Sequence, residues 1–175
     1  MDCCPSIAAS EPPAGAEELA IGPTNAPTPQ DDTQHRCMQC SRVGRAVTRK
    51  TIFLMLKPEQ FGRVGERSYR FCPNPDCRVV YFNERDGVAF TADDLRVRVG
   101  VKAAEDPVPL CYCFGFFEAD VRAEIAERGT SSLPQRIRLL IQRGLCDCPA
   151  RNPSGTCCLG EVRQAVNRIL KETSL

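Results

Sequence analysis

The sequence predicts an α+β protein, a small antiparallel β module pinned by metal-binding thiols and followed by a helical module carrying a second set of thiols. Three observations carry that expectation. Two cysteine pairs at metal-ligand spacing lie among short apolar stretches in residues 35–104. Three segments of helical periodicity, separated by cap residues and glycines, fill residues 105–175. The chain also holds 12 Cys and no Trp in 175 residues, so covalent or metal staples have to replace part of a large core. The predicted organisation is a disordered acidic, Pro-rich tail over 1–34, a β module over 35–104 and a helical module over 105–175.

The tail holds Asp2, Glu11, Glu17, Glu18, Asp31 and Asp32 with no Lys or Arg, a charge of −6, and six of the 14 prolines. It buries too little apolar surface to offset its ordering entropy, apart from one expected helical turn around Ala16–Ala20. Cys3-Cys4 are its one chemical feature, a candidate labile site for a soft ion such as Cu(I) or Hg(II). The net charge of +1 leaves +7 on the remainder, scattered among acidic residues with no basic stripe, so no nucleic-acid partner is expected. Residues 1–30 have no basic n-region or apolar h-region, and no run of 18 apolar residues exists. The expected location is the cytoplasm, without membrane insertion. There thiols stay reduced, and such cysteine patterns favour metal over disulfides.

In the β module, Cys37-Met38-Gln39-Cys40 is a knuckle whose two-residue gap lets both sulfurs meet one ion. Cys72-Pro73-Asn74-Pro75-Asp76-Cys77 is the second, with turn residues filling a gap of four. Together they predict a closed tetrahedral Cys₄ zinc site on Cys37, Cys40, Cys72 and Cys77, structural because no position is left open. His35 is a weaker candidate ligand. Strands are expected at Thr51–Leu56, Tyr69–Phe71, Arg78–Phe82 and, from strict alternation, Leu95–Lys102.

In the helical module, one helix is expected from Glu118 to Arg128, ending at Gly129. A second is capped by Thr130, Ser131 or Ser132, with Pro134 in its first turn, Gly144 closing it and Ile137, Leu140, Ile141 and Leu145 inward. The last follows Cys158, with Val162, Val166, Ile169 and Leu170 inward. Cys111-Tyr112-Cys113 cannot comfortably form its own disulfide, but the two sulfurs can share a metal centre. The turn-rich run from Cys148 to Cys157-Cys158 presents two more thiolates, and four cysteinyl sulfurs are what a [2Fe–2S] cluster requires. Arg143, Arg151 and Arg163 are candidates to lie near it.

The Cys-x-Cys pair, paired helices and cysteine-bearing turn resemble the [2Fe–2S] domain of bacterioferritin-associated ferredoxin. Joined with Asn152–Cys158, Val79–Glu84 and Arg98–Lys102, they resemble the N-terminal zinc/[2Fe–2S] domain of the CopZ copper chaperone family over roughly residues 36–165. The resemblance implies zinc on Cys37, Cys40, Cys72 and Cys77. It implies the cluster on Cys111, Cys113, Cys148 and Cys158, with Cys146 and Cys157 as rivals to the last two. Cys148 is favoured because it stands four residues before Asn152, and Cys158 because it sits closer to the helix start. Two-domain members of the family continue into a heavy-metal domain with a Met-x-Cys-x-x-Cys site, a motif missing from these 175 residues.

The expected function is a metallochaperone-like iron–sulfur and zinc protein with a one-electron role in copper or mercury handling. Its partner would be a redox protein or a metal-transporting protein. Alternatives are a ferredoxin-like electron donor and a zinc-ribbon interaction or nucleic-acid module. No Ser-His-Asp set, paired catalytic carboxylates or phosphate-cradling glycine loop occurs, so no enzyme is expected.

Overall fold

The computed structural model describes residues 35–83 and 85–173. The tail expectations, including Cys3-Cys4 and the turn at Ala16–Ala20, lie outside the described residues. Four short strands, β1 (Arg45–Val47), β2 (Tyr69–Phe71), β3 (Val79–Asn83) and β4 (Ala89–Thr91), form one antiparallel sheet in sequence order. β3 is central and buried along its whole length. Its Val80 and Tyr81 pack with Tyr69, Phe71 and Phe90, while Val79 and Phe82 pack beside the cysteine knuckles. Each such side chain contributes about 1.5–3 kcal/mol by leaving water.

Thr51–Leu56, expected as a strand, belongs instead to helix α1 (Arg49–Met55). Its β-branched and aromatic content suits either state over so short a run. Local capping and packing decide. The Thr48 hydroxyl accepts from the Thr51 N–H at 3.1 Å, and Thr51, Ile52 and Met55 fall on one buried face.

Leu95–Lys102, expected as a strand from its alternation, forms only a one-residue bridge, Leu95 to Leu56, and ends in a single 3-10 turn at Gly100–Lys102. The alternation is that of a strap laid over the core. Leu95 and Val99 point inward. Between and beyond them, Arg96 donates to the Leu56 and Phe53 carbonyls at 2.9 and 2.8 Å, closing the C-terminus of α1. Lys102 donates to the Asn74 and Cys77 carbonyls at 2.7 and 3.0 Å. The polar residues satisfy orphan carbonyls in place of a ladder. Gly100 is required at its end: a Cβ there would lie 1.9 Å from the Pro109 carbonyl oxygen.

A two-stranded hairpin, β5 (Pro109–Cys111) with β6 (Phe116–Phe117), leads into the helices. α2 (Glu118–Arg128) ends at left-handed Gly129 as expected. α3 (Leu133–Gln142) and α5 (Leu159–Thr173) flank a one-turn α4 (Cys148–Arg151). Val121, Ile125, Leu133, Ile137, Ile141, Val162, Val166 and Ile169 make the core, with Cys111 and Cys158 at its edge. Leu145 departs from expectation: α3 stops before left-handed Gly144, which turns Leu145 outward to 60% exposure. Glu118 does more than face a helix dipole. It is buried and accepts from Arg122 at 2.7 Å and from Arg168, tying α2 to α5.

Ser132 is the N-cap of α3 but makes no side-chain cap bond. Ser131, among the expected caps, accepts from Leu133 N–H at 3.3 Å, and Glu124 of α2 completes the cap, accepting from the Ser131 hydroxyl and the Ser132 N–H at 2.8 Å each, with Arg136 at 3.0 Å. Burial pushes the Glu124 carboxyl pKa up, but these two donors and Arg136 outweigh it and hold the carboxyl below its usual range. A depressed folded-state pKa means stability that is present above the unfolded pKa of about 4.3 and lost as pH falls through the lower folded value. Glu124→Ala is expected to cost about 1 kcal/mol at neutral pH. In denaturant titrations its gap to wild type should close on acidification below the ordinary glutamate range.

Candidate metal centres

The first knuckle is a tight turn. Ser41 N–H donates to Cys37 O and Cys37 N–H to Arg42 O, each at 2.8 Å, with Ser41 left-handed at φ 57°. In the second, Cys77 N–H donates to Asn74 O at 3.3 Å and Cys72 N–H to Val80 O at 2.8 Å. The knuckle is therefore locked to β3. The four sulfurs of Cys37, Cys40, Cys72 and Cys77 all lie within 4.8 Å of one another, the requirement for sharing one ion. Cys37 Sγ lies 3.8 Å from Cys77 Sγ, and Cys40 Sγ 3.5 Å from Cys72 Sγ.

At Cys40, burial raises the thiol, yet hydrogen bonds from the Arg42 backbone, the Asn74 side chain and the neighbouring thiols bring it down to about 7. Burial holds Cys72 and Cys77 above the usual thiol range. Cys40 is thus more readily ionised than Cys72 or Cys77. His35 lies outside this tetrad; its Nε2 is 3.4 Å from the Arg70 guanidinium.

The second set has a different geometry. Cys111 Sγ and Cys158 Sγ are 3.0 Å apart, and Cys113 Sγ and Cys148 Sγ 3.8 Å apart. Cys148 also meets Cys158, which links these two contacts, and among the described residues only the first tetrad brings four sulfurs within 4.8 Å of one another. Cys111, Cys148 and Cys158 are buried, whereas Cys113 is partly open. Backbone N–H groups point at these sulfurs: Phe114 and Cys113 toward Cys111, Cys158 toward Cys148, and Asp147 toward Cys113 at 3.4 Å.

The Cys113 and Cys158 thiols hold Cys148 low, and Cys158 holds Cys111 low. In the same exchanges Cys148 pushes Cys113 up, and Cys111 with Cys148 pushes Cys158 up. Of the rivals, Cys157 is half-buried against the helical core, and Cys146, also half-buried, reaches the Cys148 sulfur. Arg143, Arg151 and Arg163 are exposed.

Several residues that hold these sulfurs were not singled out by sequence reasoning. Between Cys148 and Cys158 the chain forms a self-bonded turn. Asn152 Nδ2 donates to Thr156 O at 2.8 Å, Asn152 Oδ1 accepts from Ser154 N–H at 3.0 Å, and Gly155 takes φ 68°. The β module grips this turn. Thr51 Oγ1 donates to Pro149 O at 2.6 Å, and Tyr81 OH donates to Pro153 O at 2.8 Å. Arg45 reaches Thr156 Oγ1 at 2.9 Å. A Cβ on Gly155 would sit 3.2 Å from Val47 Cγ1.

Burial, with the Tyr112 phenol nearby, raises the Tyr81 pKa well above the usual tyrosine value, so its hydroxyl remains a donor. Tyr112, between the paired cysteines, accepts from Gly100 N–H at 2.8 Å and donates to Arg98 O at 3.0 Å. The only sequence signal for these hydroxyls is that a tyrosine in a fully buried strand needs a partner for its OH.

A zinc-binding domain family model matches residues 34–96. The copper chaperone CopZ of Archaeoglobus fulgidus is 35% identical over 123 residues, 70% of this chain. The match covers 57% of that protein, so the chain spans little more than half its length. No helix among the described residues is long and apolar enough to cross a membrane. The X-ray structure of the A. fulgidus CopZ N-terminal domain superposes with a TM-score of 0.61 at 31% identity, covering 74% of this chain and 95% of that one. With a four-cysteine knuckle site in the segment matched by the zinc-binding model, and nearly the whole of that domain matched at this identity, the chain belongs to the family of the CopZ N-terminal domain.

Proposed function

We propose that this chain is a zinc- and [2Fe–2S]-binding metallochaperone-type protein that serves heavy-metal handling, copper above all, through single-electron chemistry. Cys37, Cys40, Cys72 and Cys77 hold the zinc, and Cys111, Cys113, Cys148 and Cys158 hold the cluster. The observation that carries the reading is the pairing of Cys111 with Cys158 and of Cys113 with Cys148. Two thiolates for each of two irons is the donor set of this cluster, and an extended set with a close contact at each end fits it better than one compact tetrad does. When bound, the centre supplies one-electron transfer.

The chain's own groups define its surroundings. The N–H donors on Cys111, Cys113 and Cys148 stabilise negative charge on sulfur, which raises a reduction potential. The helical core excludes water from three of the four sulfurs, so the partly open edge at Cys113 is where a redox partner would approach. Copper enters through the name of the A. fulgidus relative and through Cys3-Cys4, whose adjacent thiols suit a soft ion.

Anaerobically purified protein is expected to carry about two irons, about two acid-labile sulfides and about one zinc per chain, with a [2Fe–2S] visible spectrum. Colourless protein with zinc alone would overturn the cluster. Cys158→Ser should remove the colour while Cys157→Ser keeps it; the reverse result would exchange the ligand. Competition titration with Cu(I) tests the tail, where Cys3→Ser/Cys4→Ser should weaken the tightest Cu(I) site at least about tenfold. Unchanged affinity would remove the tail from copper binding.

A further inference from the structure

We propose that Thr51 and Tyr81 are positioning residues for the cluster site, through which the zinc module sets where Cys148 and Cys158 stand. The inference rests on those two cysteines being cluster ligands. The turn that joins them holds itself together through Asn152, Ser154 and Gly155. It therefore moves as one piece, and its placement is decided by what grips it from outside.

Both grips are hydroxyls of the β module donating to proline carbonyls of the turn. Pro149 O lies in the one-turn helix α4, whose last carbonyls have no following turn to bond. Thr51 takes it at 2.6 Å, and Thr51 is itself held at 2.7 Å from the Thr48 hydroxyl that caps α1. Pro153 O is taken by Tyr81, which is wholly buried. Tyr81 follows Val80, whose carbonyl accepts from the N–H of the zinc knuckle's Cys72. The path from one metal centre to the other is thus Cys72, β3, Tyr81, Pro153 and then Cys158, with Thr51 fixing the other end beside Cys148. Pro149 and Pro153 also stiffen the turn, so a shift at either carbonyl is passed on to the neighbouring sulfur.

The test compares Tyr81→Phe, Thr51→Val and the pair with wild type, and uses Thr51→Ser as the conservative rescue. Phe and Val keep the buried volume and remove only the hydroxyl. Zinc content reports that the β module is folded. In iron-free, zinc-loaded protein, amide hydrogen exchange over residues 147–158 should quicken about tenfold in the double variant, with α2 and α3 unchanged. In cluster-loaded protein, transfer of iron to a chelator should quicken about tenfold with an altered visible circular dichroism spectrum, and Thr51→Ser should behave as wild type. Wild-type exchange over 147–158 in zinc-loaded double variant overturns the positioning role while leaving the cluster reading intact. Wild-type protein that binds no iron overturns the cluster reading, and this role with it, even if exchange quickens.

Discussion

The structure depends on four thiols being held within 4.8 Å of one another at Cys37, Cys40, Cys72 and Cys77. Three of the four sheet strands are three residues long, and a sheet of that size is marginal in water. The knuckles lie just before β1 and between β2 and β3, so closing the tetrad fixes the relative placement of the strands that carry the core. The thiol chemistry points the same way. Burial resists ionisation of Cys72 and Cys77, so the site is complete only with a cation to offset several thiolates at once. In a small module of this kind the free energy of metal binding adds to that of folding.

The second module is built on an ordinary helical core, and its thiols sit at the edge of that core. The hairpin β5–β6 delivers Cys111 and Cys113; the start of α4 and the N-cap end of α5 deliver Cys148 and Cys158. Neither delivery is independent of the β module. Tyr112 hangs on the backbone of Arg98 and Gly100, in the strap whose Lys102 closes the second knuckle. The turn carrying Cys148 and Cys158 hangs on Thr51 and Tyr81. Both halves of the second thiol set are therefore bonded to the same β module.

Much of this was legible in the sequence where local chemistry decides the outcome. The knuckle spacings, the glycine stop after α2, the proline in the first turn of α3 and the inward face of α5 need only neighbouring residues to explain them. The failures fall where tertiary partners override pattern. Thr51–Leu56 is β-branched and aromatic, yet a threonine cap and the strap's Arg96 make it a helix. Leu95–Lys102 alternates because Arg96 and Lys102 seek carbonyls, and alternation alone does not distinguish a strap from a strand. At the second thiol set, the candidate residues were legible from spacing. Their division into two pairs was not, since it depends on how a hairpin and a helix start are docked.

That docking also places four cysteines close in sequence in different surroundings. Cys146 and Cys148 are two residues apart, and Cys157 and Cys158 are adjacent. Only Cys148 begins α4, where its sulfur receives the Cys158 N–H, and only Cys158 lies at 3.0 Å from Cys111. A backbone donor directed at a sulfur favours the thiolate over the thiol, which suits Cys148 to hold charge, while Cys158 stands apart by its contact with Cys111. Cys146 reaches the set through the Cys148 sulfur. The turn that carries these thiols is bonded to the β module through Thr51 and Tyr81, so the different surroundings of chemically identical thiols are a property of the joined modules.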